Sequence, residues 1–219
     1  LRLQEITKFQ SSAKMILAKI PYPIETLVIL CTSCTYYKLI HAWYTNDVTW
    51  TFLETWDDDS NFRDNPSYKL PLLSFIQSNN AFASLINVWE PASWTMKCIV
   101  WNIAGHSSLA YRMCSFLLHL ATSIVLYWTL QRIVGFQFSK TNPTPSTERT
   151  THAAALIGSM WYAVHPLNVE VVCWPSALPY ALAGFFQVLA LYLYSFVDDA
   201  DDADDADDAD DADDADDAD

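Results

Sequence analysis

The chain has 219 residues and a formal net charge of −14, with 52% hydrophobic residues, nine Trp, eleven Tyr and eleven Phe. Seven Asp-Asp-Ala repeats and a closing Asp at 198–219 hold 15 of the 26 carboxylates, so the 11 that remain face 12 Lys and Arg and leave the body at +1. That body is apolar and has too few glycines for Gly-rich phosphate loops; GxGxxG and GxxxxGK[ST] are absent, and no basic patch with interleaved aromatics speaks for nucleic acid.

Residues 1–23 form a basic segment (Arg2, Lys8, Lys14, Lys19) broken by Pro21 and Pro23, expected in the cytosol. A first membrane span is expected over 24–44, about the 20 residues a bilayer requires. Glu25, Lys38 and His41 interrupt it, and Trp43-Tyr44 reads as an interfacial anchor. A long lumenal loop follows at 45–108, too polar to span. Within it, 94–103 is amphipathic and suits a helix lying on the membrane surface. The clearest span is 109–130, closed by Gln131-Arg132, and a polar Pro/Thr/Ser loop is expected over 135–151. Further spans are expected at 153–172 and 177–197. The Asp-Asp-Ala tail has no apolar face and repels itself, so it should be extended and solvated.

The five cysteines (Cys31, Cys34, Cys98, Cys114, Cys173) lack metal-type clustering. Cys31-x-x-Cys34 sits in an apolar segment, which suits membrane thiols rather than zinc or redox chemistry. The chain begins at Leu1 and stops inside a repeat, and reads as a piece of a longer protein.

The acidic triplet Asp57-Asp58-Asp59 follows Trp56, and His165-Pro166 with Glu170 lies between two later apolar segments. Carboxylates and a His-Pro turn are costly beside lipid and mark a site at the membrane–water boundary. The Lys and Arg near span ends favour the N-terminus and 131–151 in the cytosol. Both clusters then face the lumen, as a shared site needs.

In order, four motifs appear: Trp56–Pro66 (WDDDSNFRDNP), Trp89–Trp101 (WEPASWTMKCIVW), Gly105–His119 (GHSSLAYRMCSFLLH) and Tyr162–Trp174 (YAVHPLNVEVVCW). Over residues 36–197 this resembles the N-terminal part of the transmembrane and tetratricopeptide-repeat-containing proteins. The family has an acidic pair followed by Asn-Pro, a Leu-His segment opening the next span, and a His-Pro…Glu segment. The resemblance implies an all-α polytopic protein of about four transmembrane helices plus an interfacial helix in the first lumenal loop, part of a C-type glycosyltransferase fold in the endoplasmic reticulum membrane. It implies transfer of a sugar, mannose in the family, from a lipid-linked donor such as dolichyl-phosphate mannose to protein Ser/Thr hydroxyls. The partners implied are membrane lipid, the donor and the protein acceptor.

Inverting transfer needs a base for the acceptor hydroxyl and cations or donors near the leaving phosphate. By spacing to Asn65-Pro66 the matching carboxylates are Asp57 and Asp58, the expected catalytic pair. His165, Glu170, Arg112 and His119 are the expected supporting residues. The chain departs from the family where Leu178 and Tyr180 stand for an Arg and an Asp, Arg112 for a His and Ser115 for an Asn. Those departures favour an alternative reading, a non-catalytic membrane scaffold for a downstream repeat domain. A transporter has only Lys38 and His41 in its favour.

Overall fold

The structure is a computed structural model, and it describes residues 24–53, 57–78, 89–139 and 145–196. The basic N-terminal segment and the acidic tail lie outside the described residues. All regular structure among the described residues is helical.

The apolar run after Pro23 forms α1 (Ile24–Thr35) and α2 (Tyr37–Thr45) in place of one uninterrupted helix. Two hydroxyl back-bonds precede the break at Tyr36. The Thr32 and Thr35 hydroxyls bond back to the carbonyls of Val28 and Cys31 at 2.7 and 2.9 Å, which loosens a helix from within. Asn46 closes α2 in the left-handed conformation, φ 57°, one that Asn tolerates better than most residues.

Asp59–Arg63 makes one π-helical turn, and α3 (Leu72–Gln77) and α4 (Pro91–Ala104) complete the loop between the first and second apolar segments. The amphipathic stretch expected at 94–103 lies in α4. Its inner face is buried in aromatic packing rather than left bare: Trp94, Cys98, Tyr68, Phe62, Phe75 and Tyr111 form one cluster.

The main helix, α5 (Ser108–Ser139), runs 32 residues, about 48 Å at 1.5 Å per residue. It continues well past Arg132. The next helix, α6 (Pro145–Val164), begins inside the polar stretch that was expected to be loop over 135–151. Pro145 supplies a preset φ at a helix start, and Glu148 in the first turn complements the helix dipole. Pro166 cannot continue α6, so 153–172 is not one helix. A turn at His165–Leu167 leads into α7 (Asn168–Cys173), then a 3₁₀ turn (Pro175–Ala177), then α8 (Leu178–Tyr194).

Helix α5 is the hub. Glu25 of α1 accepts from Trp128 Nε1 at 3.2 Å, and Tyr36 packs on Phe116 and His119, so α1 runs antiparallel to α5. His119 meets Ala163 while Tyr127 meets His152, so α6 is also antiparallel. Arg112 bonds Cys173, and Arg132 bonds Ser195 at 3.1 Å through Nε, so α8 runs parallel to α5. Arg112 and Arg132 stand twenty positions apart, about 30 Å along the axis, the thickness of a bilayer's hydrocarbon.

Among the described residues two stretches are long and apolar enough to cross a membrane, Ser108–Phe136 and Pro175–Tyr194. Only 28% of the apolar window of the second is buried. A soluble core helix would hide most of such a surface; here Tyr180, Phe186, Leu191 and Leu193 are exposed.

Between α4 and α5, Gly105 has φ 65° and ψ −148°, a conformation open essentially to glycine alone. A Cβ there would meet nothing within 4 Å, so the constraint is conformational only. Gly105→Ala is expected to destabilise the fold by about 1–3 kcal/mol, read as a lowered midpoint of thermal unfolding in detergent. An unchanged midpoint would show that the turn is not held in this conformation.

Candidate functional site

The acidic triplet divides at its first two members. Consecutive residues on a helical turn point about 100° apart, so Asp57 is exposed while Asp58 is fully buried. A buried carboxylate must be met by donors. The Leu53 N–H reaches Asp58 Oδ2 at 2.9 Å. The Ser176 N–H reaches Oδ1 at 3.2 Å, and the Ser176 hydroxyl donates to the same oxygen. Asp58 thereby joins the loop after α2 to the corner between α7 and α8.

A polar chain leads away from that corner. Asn61 Nδ2 donates to Ser176 Oγ at 3.2 Å, and Lys97 Nζ donates to Asn61 Oδ1 at 3.3 Å. Asn61, Lys97 and Ser176 are all buried. Lys97 rests 3.8 Å above the Trp94 ring and 5.3 Å from that of Phe62, and its charge is shared with these faces. Asp58 lies within electrostatic reach of both Lys97 and Arg112 without a direct ion pair. Arg63 pairs instead with the half-buried Asp59 at 3.4 Å and with the exposed Asp64 at 3.5 Å.

Arg112 is buried and spends its donors on three backbone carbonyls and one hydroxyl. Nε donates to Cys173 O at 2.7 Å, Nη2 to Thr51 O at 2.8 Å, and Nη1 to Ser108 Oγ at 2.8 Å and Trp50 O at 3.4 Å. Ser108 Oγ in turn donates to Trp50 O. Arg112 thus staples residues 50–51 to the end of α7, one layer away from Asp58.

The other expected site residues are placed differently. His119 is buried in the bundle, where its Nε2 meets Ala163 O at 3.0 Å. A carbonyl only accepts, so Nε2 carries the proton. His119 is a contact between α5 and α6. His165 is half-buried in the turn after α6, where Nδ1 accepts from the Leu167 N–H at 3.3 Å. Glu170 is exposed on α7. Among the described residues no hydrogen bond or ion pair joins His165 or Glu170 to Asp57 or Asp58. The antiparallel course of α6 still puts the His-Pro turn at the same end of the bundle as the acidic triplet. Leu178 is buried, and Tyr180 is 68% exposed.

Ser176, Asn61 and Lys97 were not singled out from the sequence. Lys97 carried a readable signal, because a lone cation on the apolar stripe Trp94, Cys98, Trp101 is out of place unless it has a partner. Ser176, set between Pro175 and Ala177, carried none. All five cysteines are free thiols. Among the described residues no group of three or more His, Cys, Asp or Glu is placed to hold a metal ion.

No protein-family model matches the chain, and neither a curated protein nor a solved structure matches it. The likeness of the four motifs to a family therefore rests on the residues alone.

Two predictions test this geometry. Asp58→Ala strands two N–H groups and a hydroxyl, and is expected to cost about 3–5 kcal/mol. Asp57→Ala, at an exposed position, should stay within about 0.5 kcal/mol of the parent. Equal losses from the two would contradict the division.

Burial lowers the Lys97 ammonium from its ordinary value to about 8, and the charges of Glu90 and Asp58 pull it part of the way back. Between about 8 and the unfolded value of about 10.4, the unfolded chain holds a proton that the folded chain has released, so stability rises with pH across that window. Thermal unfolding at pH 7.5 and 9.5 should show the parent gaining stability relative to Lys97→Met. Parallel behaviour of the two proteins would show that Lys97 is not buried as described.

Proposed function

We propose that this chain forms the membrane region of a glycosyltransferase that moves a sugar from a lipid-phosphate donor to protein hydroxyls at the lumenal face of the endoplasmic reticulum. In this reading the bundle crosses the membrane four times, with α1 and α2 together and α6 joining the two longer apolar helices, in a partial C-type arrangement. Mannose and a dolichyl-phosphate carrier are the donor that the resemblance suggests.

One observation carries the proposal: an exposed carboxylate, Asp57, is held beside a fully buried one that is anchored on both oxygens. A general base needs access to the acceptor hydroxyl and a fixed position, and neither carboxylate supplies both alone. Asp57 is accordingly the base, and Asp58 sets the turn that presents it. In this reading His165 and Glu170, at the same end of the bundle, support the site.

A second reading has its own support. Arg112 is committed to backbone carbonyls, and Leu178 and Tyr180 add no charge, so the cation expected beside a leaving phosphate is not provided by these positions. This favours a non-catalytic scaffold that keeps the fold of a transferase.

The two readings separate in membranes containing the full-length protein, with a lipid-linked mannose donor and an acceptor peptide. Asp57→Asn should lower transfer by about 100-fold or more, the usual contribution of a general base, with membrane insertion and thermal stability unchanged. Equal transfer by the parent and Asp57→Asn would rule out Asp57 as the base, and no transfer by the parent would favour the scaffold.

A further inference from the structure

We propose that Lys97 is a positioning residue for the acidic turn: acting through Asn61 and Ser176, its ammonium fixes the direction of the hydrogen bonds that hold Asp58, and with them the stance of Asp57. The role assigned to Asp57 rests on the reading above; the role of Lys97 in fixing Asp58 does not.

The argument follows from what each group is able to do. An ammonium only donates, and a carboxylate only accepts. Between these ends lie two side chains with no fixed direction of their own: an amide that can be turned over and a hydroxyl that can rotate. Because Lys97 donates to Asn61 Oδ1, the Asn61 amide must present Nδ2 to Ser176. Because Ser176 Oγ then accepts from Asn61, its proton is directed to Asp58. The chain is polarised between its donor-only and acceptor-only ends, and each bond strengthens the next in a medium that excludes water.

Removing the ammonium frees the amide. Two orientations of Asn61 then compete, and in the turned one the Ser176 hydroxyl donates to Asn61 Oδ1 and Asp58 loses a donor. The turn that carries Asp57 is left with the two backbone N–H groups. Asp58 lies on the first loop and Ser176 at the α7–α8 corner, 118 positions on. Lys97 on α4 is thus connected to both sides of the candidate site without touching either carboxylate.

A double-mutant cycle between Lys97→Met and Ser176→Ala tests the proposal on the full-length protein in detergent. If Lys97 acts through Ser176, each single change lowers the unfolding midpoint by several degrees, and the double mutant falls no further than the worse single. Additive losses would show that Lys97 contributes only its own packing and would overturn the proposal. Lys97→Arg, which keeps a donor-only cation, should recover part of the loss, whereas Lys97→Gln, whose amide both donates and accepts, should not. Equal behaviour of Arg and Gln would also overturn it. In the transfer assay, Lys97→Met should lower kcat about tenfold with KM unchanged, the signature of a misplaced group rather than lost binding. If Asp57→Asn is silent while the cycle is non-additive, the transferase reading fails and the role of Lys97 stands. If Asp57→Asn abolishes transfer while the cycle is additive, the reverse holds.

Discussion

A carboxylate without access to water is the constraint around which this structure is arranged. Asp58 meets the Leu53 N–H, the Ser176 N–H and the Ser176 hydroxyl, so residues from the first loop and from the α7–α8 corner are obliged to meet. Leaving any of these donors unmatched would cost about 1–3 kcal/mol each. The cost secures geometry: the turn cannot shift without exposing or stranding a charge. Arg112 makes a parallel tie nearby between Trp50, Thr51 and Cys173. Together these two groups fasten a loop of more than 60 residues to the bundle, at sites where apolar packing alone would allow sliding.

The far end of the bundle is held by the same means. Arg132 stacks 3.6 Å over the Phe196 ring and bonds Ser195, while Gln131 and Tyr127 meet His152. Between these two polar layers, from Arg112 to Tyr127, α5 runs about 22 Å, and the polar side chains buried along it, Ser115, His119, Thr122 and Ser123, face the bundle interior. Polar groups gathered at both ends of apolar helices are what a bilayer selects, and the exposed aromatic and aliphatic side chains of α8 fit the same account.

The helical class and the two strongest apolar helices were legible because they depend on composition summed over twenty residues. The ends of α5 and α6 were not: Gly135–Ser139 and Pro145–Thr151 are polar or mixed, and residue type there does not announce that the helices run through them. The break at Tyr36 falls inside a continuous apolar run, which residue type alone does not announce. The acidic triplet was legible as a site but not in its division of labour. Adjacent aspartates read alike in sequence, and only the helical turn beginning at Asp57 decides which one faces inward. Arg112 was picked out as a replacement cation, yet its donors go to backbone carbonyls that lie 61 and 62 positions away in the chain.

The account stands or falls on the meeting of the first loop with the α7–α8 corner. The direct measurement is disulfide trapping in a background free of the native cysteines, with Asp58→Cys paired with Ser176→Cys in intact membranes under mild oxidant. The account predicts rapid, nearly complete crosslinking of this pair and little for Asp57→Cys with Ser176→Cys. Failure of the first pair, or equal trapping of both, would contradict the inward turn of Asp58 and the candidate site built on it.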